Sequence, residues 1–509
     1  MGEESGHYIN GKWVRPRGGK WFETTDPATG EVLARFPQGT PQDIAAAVKA
    51  AKVAFPKWSR MPPPRRGDLL LEASRIFRRR KDELGAIVTQ EMGKVIAEAK
   101  GDVQEAVDFY QYVAGEGRRS FGETTTSELP DKMAMTLHLP LGPVGLITPW
   151  NFPVAIPSWK SGGALMAGCT VVFKPSSLTP LCGAKVCEVL EEAGFPPGVF
   201  NMVTGAGGVV GNALIDHPDV AAVSFTGGVE TGREVYQRGA KRLIKVGLEL
   251  GGKNAILLME DADLDLAMDG IVFGAFGTAG QRCTATSRLI VHQAIYDEVK
   301  GRLLERTRKL KLGNPLDPKV DVGPVASADQ ERKILQYVGV GKKEGAKLLT
   351  GGKKLTGGAY DRGFFLEPTI FEAKRTHRVA TEEIFGPVLS VLKAKDYADA
   401  VKVANSVRYG LSSSIYTRDV KLAFLAMRDL EAGITYVNAP TIGAEVHLPF
   451  GGVKETGFAR EAGTTAMEEF TYVKTVYVDY SGRLQRAQID TEKMGMVEGT
   501  TGRRKPLRQ

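Results

Sequence analysis

The chain of 509 residues has little of what marks several protein classes. Four cysteines, Cys169, Cys182, Cys187 and Cys283, are too sparse for a disulfide framework and form no CxxC pair. Six histidines make neither an HExxH motif nor a Cys/His cluster, so no metal is expected. No apolar run of about 18 residues escapes a proline, so no membrane span is expected, and no Asn-x-Ser/Thr sequon occurs. The opening Met1-Gly-Glu-Glu-Ser-Gly carries no hydrophobic signal region, and Gly6 stands where a myristoylation motif wants Ser or Thr. A cytoplasmic protein is the expectation. Charge of one sign is scarce too: 67 basic against 59 acidic residues leave +8. Half of that excess lies in Arg483 to Gln509, where Arg503-Arg504-Lys505 reads as a solvated end. The nearly neutral body gives no footprint for a nucleic-acid partner.

What is present is an ordinary globular composition, 42% hydrophobic and 25% charged, with an excess of glycine at 60 residues. The glycines follow no collagen period, so they imply tight turns and close backbone approaches. Thr40-Pro41 predicts a helix start, and a second helix is expected from Arg66 to Glu91. A strand is expected over Thr136 to Leu146. Then Thr170 to Lys174, Val199 to Val203, Val220 to Phe225 and Arg242 to Val246 read as short strands alternating with helices. Thr179 is the expected N-cap of the helix running through Leu190. This rhythm predicts an α/β protein with a parallel sheet and right-handed crossovers. Asp261 to Gly280 reads as helix, Ser287 to His292 as strand, and Glu469 to Tyr480 as an exposed edge strand.

Three motifs fail on inspection. Gly247 to Asn254 has phosphate-loop spacing, but Asn254 stands where Ser or Thr must hold magnesium. Asp261, Asp263 and Asp265 resemble a calcium loop, but Leu266 cannot make its sharp turn. Gly205, Gly207 and Gly211 are spaced one residue too long for the Rossmann fingerprint, though they still offer amides at a helix start. Trp150-Asn151, Lys174, Gly205 to Gly211 and Thr226-Gly227 all follow predicted parallel strands, where open sheets bind ligands. Cys283 is either an inert core thiol or a nucleophile whose thiolate Arg282 favours. Glu249, an acid in an apolar strand, is either ion-paired to a lysine or poised as a general base.

Seven motifs in order then make the chain resemble the NAD(P)-dependent aldehyde dehydrogenases. They are Pro149-Trp-Asn-Phe-Pro, Phe173-Lys-Pro-Ser-Ser, Phe225-Thr-Gly-Gly, Leu248-Glu-Leu-Gly-Gly-Lys, Gly280-Gln-Arg-Cys, Glu382-Glu-Ile-Phe-Gly-Pro-Val and Pro449-Phe-Gly-Gly-Val-Lys. The resemblance implies that Cys283 attacks the aldehyde and forms a thiohemiacetal, then a thioester once hydride has left for the nicotinamide. It implies an oxyanion site from Asn151 and the Cys283 amide, Glu249 as activator of the hydrolytic water, and Glu461 as a proton relay. Lys174, Glu383, Phe385, Trp150, Gly207, Phe225, Thr226 and Gly227 match its cofactor contacts, Thr148, Pro149, Asn151, Gly211, Gly228, Glu249 and Leu250 belong to the same expected set, and Lys174 is expected among the catalytic residues as well. Ser177 stands where NAD-preferring relatives carry Glu, so NADP is expected to be accepted and preferred, with NAD as the alternative.

The loop Asn438 to Gly452 resembles α-ketoglutaric semialdehyde (2,5-dioxovalerate) dehydrogenases most, then aminoadipic semialdehyde dehydrogenases. Arg282 and His447 are candidate anchors for a remote carboxylate, and Trp159 a candidate tunnel wall. Succinic semialdehyde or a simple aliphatic aldehyde are alternative substrates, and a CoA-acylating enzyme or a silent homologue alternative functions. The expected architecture is a Rossmann-type cofactor domain (1–120 and 141–252) with an α/β catalytic domain (253–455). A small β oligomerisation element (121–140 with 469–480) would join subunits into a homodimer or homotetramer, and a tail (481–509) follows.

Overall fold

The computed structural model describes residues 3–119 and 122–490, so the basic run Arg503-Arg504-Lys505 lies outside the described residues. Two seven-stranded sheets organise the chain. In the first, the strands lie in the order Lys245–Glu249, Ala222–Thr226, Pro143–Ile147, Thr170–Lys174, Phe200–Met202, His7–Ile9 and Lys12–Val14. The first five are parallel, and the last two close the edge antiparallel. Numbered along the chain, the parallel strands follow the 3-2-1-4-5 order of a doubly wound sheet, with its reversal between Pro143–Ile147 and Ala222–Thr226. Helices cover both faces. Leu70, Phe77, Val103, Tyr110, Leu165 and Val189 pack on one side, and Ile44, Val48, Leu214 and Val235 on the other.

The second sheet orders Lys347–Thr350, Thr369–Glu372, Val388–Ala394, Thr286–His292, Asn254–Leu258, Ser412–Tyr416 and Ile434–Val437, all parallel except the first. A third, antiparallel sheet joins Thr124–Thr126, Lys132–Pro140 and Thr471–Asp479, so Thr471–Asp479 is an edge strand as read from sequence. The α/β class therefore stands.

Local chemistry explains where elements start and stop. Thr40 caps Pro41–Ser59 in a reciprocal capping box with Asp43, as its position before proline implies. The helix expected over Arg66 to Glu91 is two helices, Pro63–Arg79 and Lys81–Met92, parted at Arg80. The strand expected over Thr136 to Leu146 is also two, divided at Gly142 between prolines 140 and 143. Thr179 does not cap its helix. Glu91 does so from another helix, its carboxylate accepting the Leu181 and Cys182 amides at 2.8 and 2.7 Å. The calcium-loop lookalike resolves into caps as well: Asp263 caps Leu264–Phe276, and Asp261 accepts from Thr417, Arg418 and Asp419. Among the described residues, no helix is long and apolar enough to cross a membrane.

Candidate active site

The expected residues fall into two groups. One rings a cavity of about 560 Å³ lined by Cys283, Glu249, Glu461, Trp159, Thr226, Leu250, Arg282, Phe450 and Glu105, among others. The other collects at the carboxyl ends of the first sheet. Thr148, Pro149, Trp150 and Asn151 follow Pro143–Ile147, Lys174 and Ser177 lie at and beyond Thr170–Lys174, and Gly207 and Gly211 follow Phe200–Met202. Phe225 and Thr226 end the strand beside them, and Gly227 and Gly228 lead into Val229–Arg242. Both sides of the sheet's reversal are thus represented, which is where such a sheet opens a ligand crevice.

Cys283 is partly buried in an irregular segment after a tight turn in which Thr278, Ala279 and Gly280 all have positive φ. Gly280 is required there, because a Cβ would meet the Gly386 carbonyl at 2.2 Å. Burial pushes the thiol above its ordinary range, and the negative charges of Glu249, Glu383 and Glu461 add to the rise. The Thr284 backbone N–H acts the other way. Arg282 does not supply the expected favourable charge, because its guanidinium pairs with Glu98 at 3.2 Å and donates to Thr278 Oγ1.

Glu249 is 2% exposed, and neither carboxylate oxygen has a hydrogen-bond partner among the described residues. The ion-paired alternative for Glu249 is therefore not realised. Burial, then Glu461, raises its pKa well above the ordinary value, while Lys160 and Arg460 pull it back. Gly451 makes the room, since a Cβ there would lie 2.7 Å from Oε1. The buried lysine that pairs with an acid pairs instead with Glu461: Lys160 forms an ion pair with it, and Thr226 Oγ1 donates to it at 2.7 Å. Asn151 is buried, and its Oδ1 has no hydrogen-bond partner among the described residues.

On the sheet side, the Lys174 ammonium is buried without a partner among the described residues, and burial lowers its pKa to about 8. Thr148 donates its N–H to the Lys174 carbonyl at 3.3 Å, and its hydroxyl has no partner among the described residues. Ser177 donates to the Gly205 carbonyl at 3.0 Å, so its hydroxyl braces the glycine turn. Around Gly207 and Gly208 the backbone is open: a Cβ on either would meet nothing within 4 Å. Gly207–Gly211 form a wide helical turn that runs directly into Asn212–Asp216, so the helical backbone starts at Gly207, ahead of the start expected near Gly211. Glu383 accepts the Gly252 N–H at 3.0 Å, and Phe385 meets Trp150 edge-on at 5.4 Å between ring centroids. Arg282, Gly252, Glu383 and Phe385 line a smaller space of about 310 Å³, and Arg282 borders both cavities.

Three expected cofactor contacts, Thr226, Glu249 and Leu250, line the Cys283 cavity itself. Trp159 also does, tilted against Phe450 at 5.2 Å. His447 does not belong to that lining; it is exposed and 3.5 Å from Glu445. Sequence reading missed Glu105, whose pKa burial raises to about 8, with Asp102 adding and Lys94 and Arg282 opposing. It also missed Lys160, whose signal was a lone lysine after Trp159 in an apolar helix.

A thiol and an unpaired carboxyl facing one cavity, beside a doubly wound sheet's ligand crevice, are the equipment of covalent chemistry coupled to a dinucleotide. The sequence profile of the aldehyde dehydrogenase family matches residues 13–476. The chain is 41% identical over 475 residues to the α-ketoglutaric semialdehyde dehydrogenase of Bacillus subtilis (strain 168), covering 93% of this chain and 97% of that one. It is 41% identical over 471 residues to the 2,5-dioxopentanoate dehydrogenase of Saccharolobus solfataricus, covering 92% and 98%. The solved betaine aldehyde dehydrogenase of Staphylococcus aureus, in complex with NAD+, superposes with a TM-score of 0.92 at 34% identity, covering 94% of this chain and 95% of that one. The chain belongs to the aldehyde dehydrogenase family and is an oxidoreductase with its fold.

Proposed function

We propose that the enzyme oxidises a semialdehyde with a remote carboxylate, of the α-ketoglutaric semialdehyde class, to the acid, with NADP preferred over NAD. The observation that carries the chemistry is the shared cavity of Cys283 and the unpaired Glu249. The names of the 41%-identical relatives support the substrate class.

The residues fit a nicotinamide dinucleotide. At Lys174 a buried ammonium without a partner among the described residues, and open backbone at Gly207 and Gly208, suit an anionic, phosphate-bearing group, and Glu383 and Phe385 reach in from the loop before Val388–Ala394. When bound, that cofactor supplies the hydride acceptor. Ser177 presents no charge to repel a 2′-phosphate, which supports NADP. Cys283 Sγ bonds to the aldehyde carbon as its S–H proton passes out toward Glu461 in the same cavity, while Asn151 and the Cys283 N–H hold the oxygen as charge develops. Glu249, raised by burial, activates the water that cleaves the resulting thioester, and Glu461 with Lys160 and Thr226 gives protons a way out. A base at this position disfavours the CoA-acylating alternative.

We assign the first sheet to a cofactor unit (1–120 and 141–252) and the second to a catalytic unit (253–455). The third sheet supports self-association, as its edge strand exposes Tyr472, Val473, Tyr477 and Val478. A homodimer or homotetramer is the proposed assembly. A reducing compartment such as the cytoplasm suits four free thiols, of which one must stay reactive.

A spectrophotometric screen with each cofactor over α-ketoglutaric, succinic and aminoadipic semialdehydes and simple aliphatic aldehydes tests this. The α-ketoglutaric compound with NADP is expected to be fastest, and Ser177→Glu to shift preference toward NAD by about tenfold or more. A wild-type enzyme faster with NAD removes the NADP part, and a simple aldehyde fastest removes the substrate part.

Glu105 gives a pH test of the substrate class. Below a pKa of about 8 it is neutral; above it, it faces the cavity as an anion. The KM for a carboxylate-bearing semialdehyde is therefore expected to rise between about pH 7 and 9, while that for an uncharged aliphatic aldehyde stays level. Glu105→Gln flattens the rise. Parallel profiles for both substrates place the carboxylate elsewhere.

A further inference from the structure

The phosphate-loop lookalike left Asn254 without a role, and the structure gives it one. The nucleophile's segment has no regular secondary structure, yet its three carbonyls at Cys283, Thr284 and Ala285 are all taken by side-chain donors. Asn254 Nδ2 donates to the Cys283 carbonyl at 2.8 Å and to the Ala285 carbonyl at 2.9 Å. Thr441 Oγ1 donates to the Thr284 carbonyl at 2.7 Å. The Asn254 amide is used completely, because its Oδ1 accepts the Ser412 N–H at 3.1 Å. Asn254 is 3% exposed and Thr441 0%.

The location explains the need. Asn254 pairs with Thr286 but Ala255 pairs with Arg288, so the ladder between these parallel strands slips by one residue at that point. Where the slip interrupts the backbone ladder, the amide side chain substitutes for it and ties the nucleophile's segment to the Asn254–Leu258 and Ser412–Tyr416 strands. Gly252 keeps the approach open, since a Cβ there would stand 2.6 Å from the Cys283 carbonyl. Fixing the carbonyls on both sides of Thr284 fixes the Cys283–Thr284 peptide, and with it the Thr284 N–H that favours the thiolate.

We propose that Asn254 is a positioning residue for the nucleophile: its amide, seconded by Thr441, sets the direction of Cys283 Sγ and of the amides around it. This rests on the reading of Cys283 as nucleophile. In Asn254→Asp the shape and the acceptor for Ser412 remain, but both donors are replaced by an anion facing two carbonyls. The rate of Cys283 alkylation by iodoacetamide and the first-turnover rate are each expected to fall about 100-fold, the cost of a misplacement near 1 Å. Dinucleotide Kd stays within about threefold of wild type, since the defect lies in the reacting geometry. The variant-to-wild-type ratio recovers as pH falls, because the protonated carboxyl donates once more. A folded Asn254→Asp enzyme with wild-type alkylation and first-turnover rates overturns the proposal. If that variant does not fold, Thr441→Val is expected to slow both rates while Thr441→Ser retains them, and equal rates in the two overturn it. Cys283→Ala separates the two readings: turnover without Cys283 sinks the nucleophile, whereas an inactive Cys283→Ala beside a normal Asn254→Asp sinks the clamp alone.

Discussion

Cys283→Ala is expected to reduce aldehyde oxidation by about 10⁴-fold or more while leaving dinucleotide affinity unchanged. The size of the loss follows from the role: without Sγ no acyl-enzyme forms, and Glu249 is left with no thioester for its water to cleave. The selectivity follows from the architecture, because Lys174, Gly207 and Glu383 sit on other elements and do not hydrogen-bond the thiol. Stability is expected to change little, as a small, partly exposed side chain is lost. Chemical labelling gives an independent check. Cys169, Cys182 and Cys187 are fully buried, whereas Cys283 is partly exposed and lines the cavity. Iodoacetamide is therefore expected to modify the native enzyme at Cys283 alone, with inactivation proportional to labelling. Substantial turnover by the variant, or inactivation that tracks labelling of another cysteine, would remove Cys283 from the mechanism.

Much of this was legible in the sequence, for identifiable reasons. Short strands bounded by glycine and proline declared the first sheet, and the motifs behind them landed at its carboxyl ends because parallel strands all point the same way. Other features were silent. Ala155–Ala167 is buried on nearly every side, so it shows no amphipathic period. Ile96–Glu116 begins after Val95 with no side-chain cap, so nothing in the sequence announced it, and Glu105 went unread with it. Thr179 looked like a cap because its neighbours were right, but the donor groups it would have satisfied were taken by Glu91 across a tertiary contact. Pairings of that kind, including Lys160 with Glu461 and Arg282 with Glu98, join residues far apart in the chain and leave no local trace.

Glu249→Gln is expected to separate the two halves of the reaction. The first half needs Cys283 and the oxyanion donors, so one equivalent of reduced cofactor per site forms in a burst. The second half needs a base for water, so steady turnover falls by about 10²–10⁴-fold and the acyl-enzyme accumulates, visible as an intact-mass increment on Cys283. An added nucleophile that needs no base, such as hydroxylamine, restores release. The pH dependence carries the same signature with a fixed sign. The Glu249 pKa is raised in the folded state, so its neutral form is favoured at low pH and the base form appears as pH rises. Wild-type deacylation therefore increases with pH while the glutamine variant stays flat. Stability moves oppositely. A carboxyl with a raised folded pKa contributes stability below its unfolded value and loses it as pH rises through the folded one. The wild type is thus expected to weaken toward alkaline pH by burying an uncompensated charge, and Glu249→Gln to be the more stable protein there. A variant that keeps steady turnover assigns water activation to another group, and one that loses the burst along with it places Glu249 in the first half of the reaction. A variant slow and stable together identifies Glu249 as a strained, functional carboxyl, held without a partner so that it can take its proton from water.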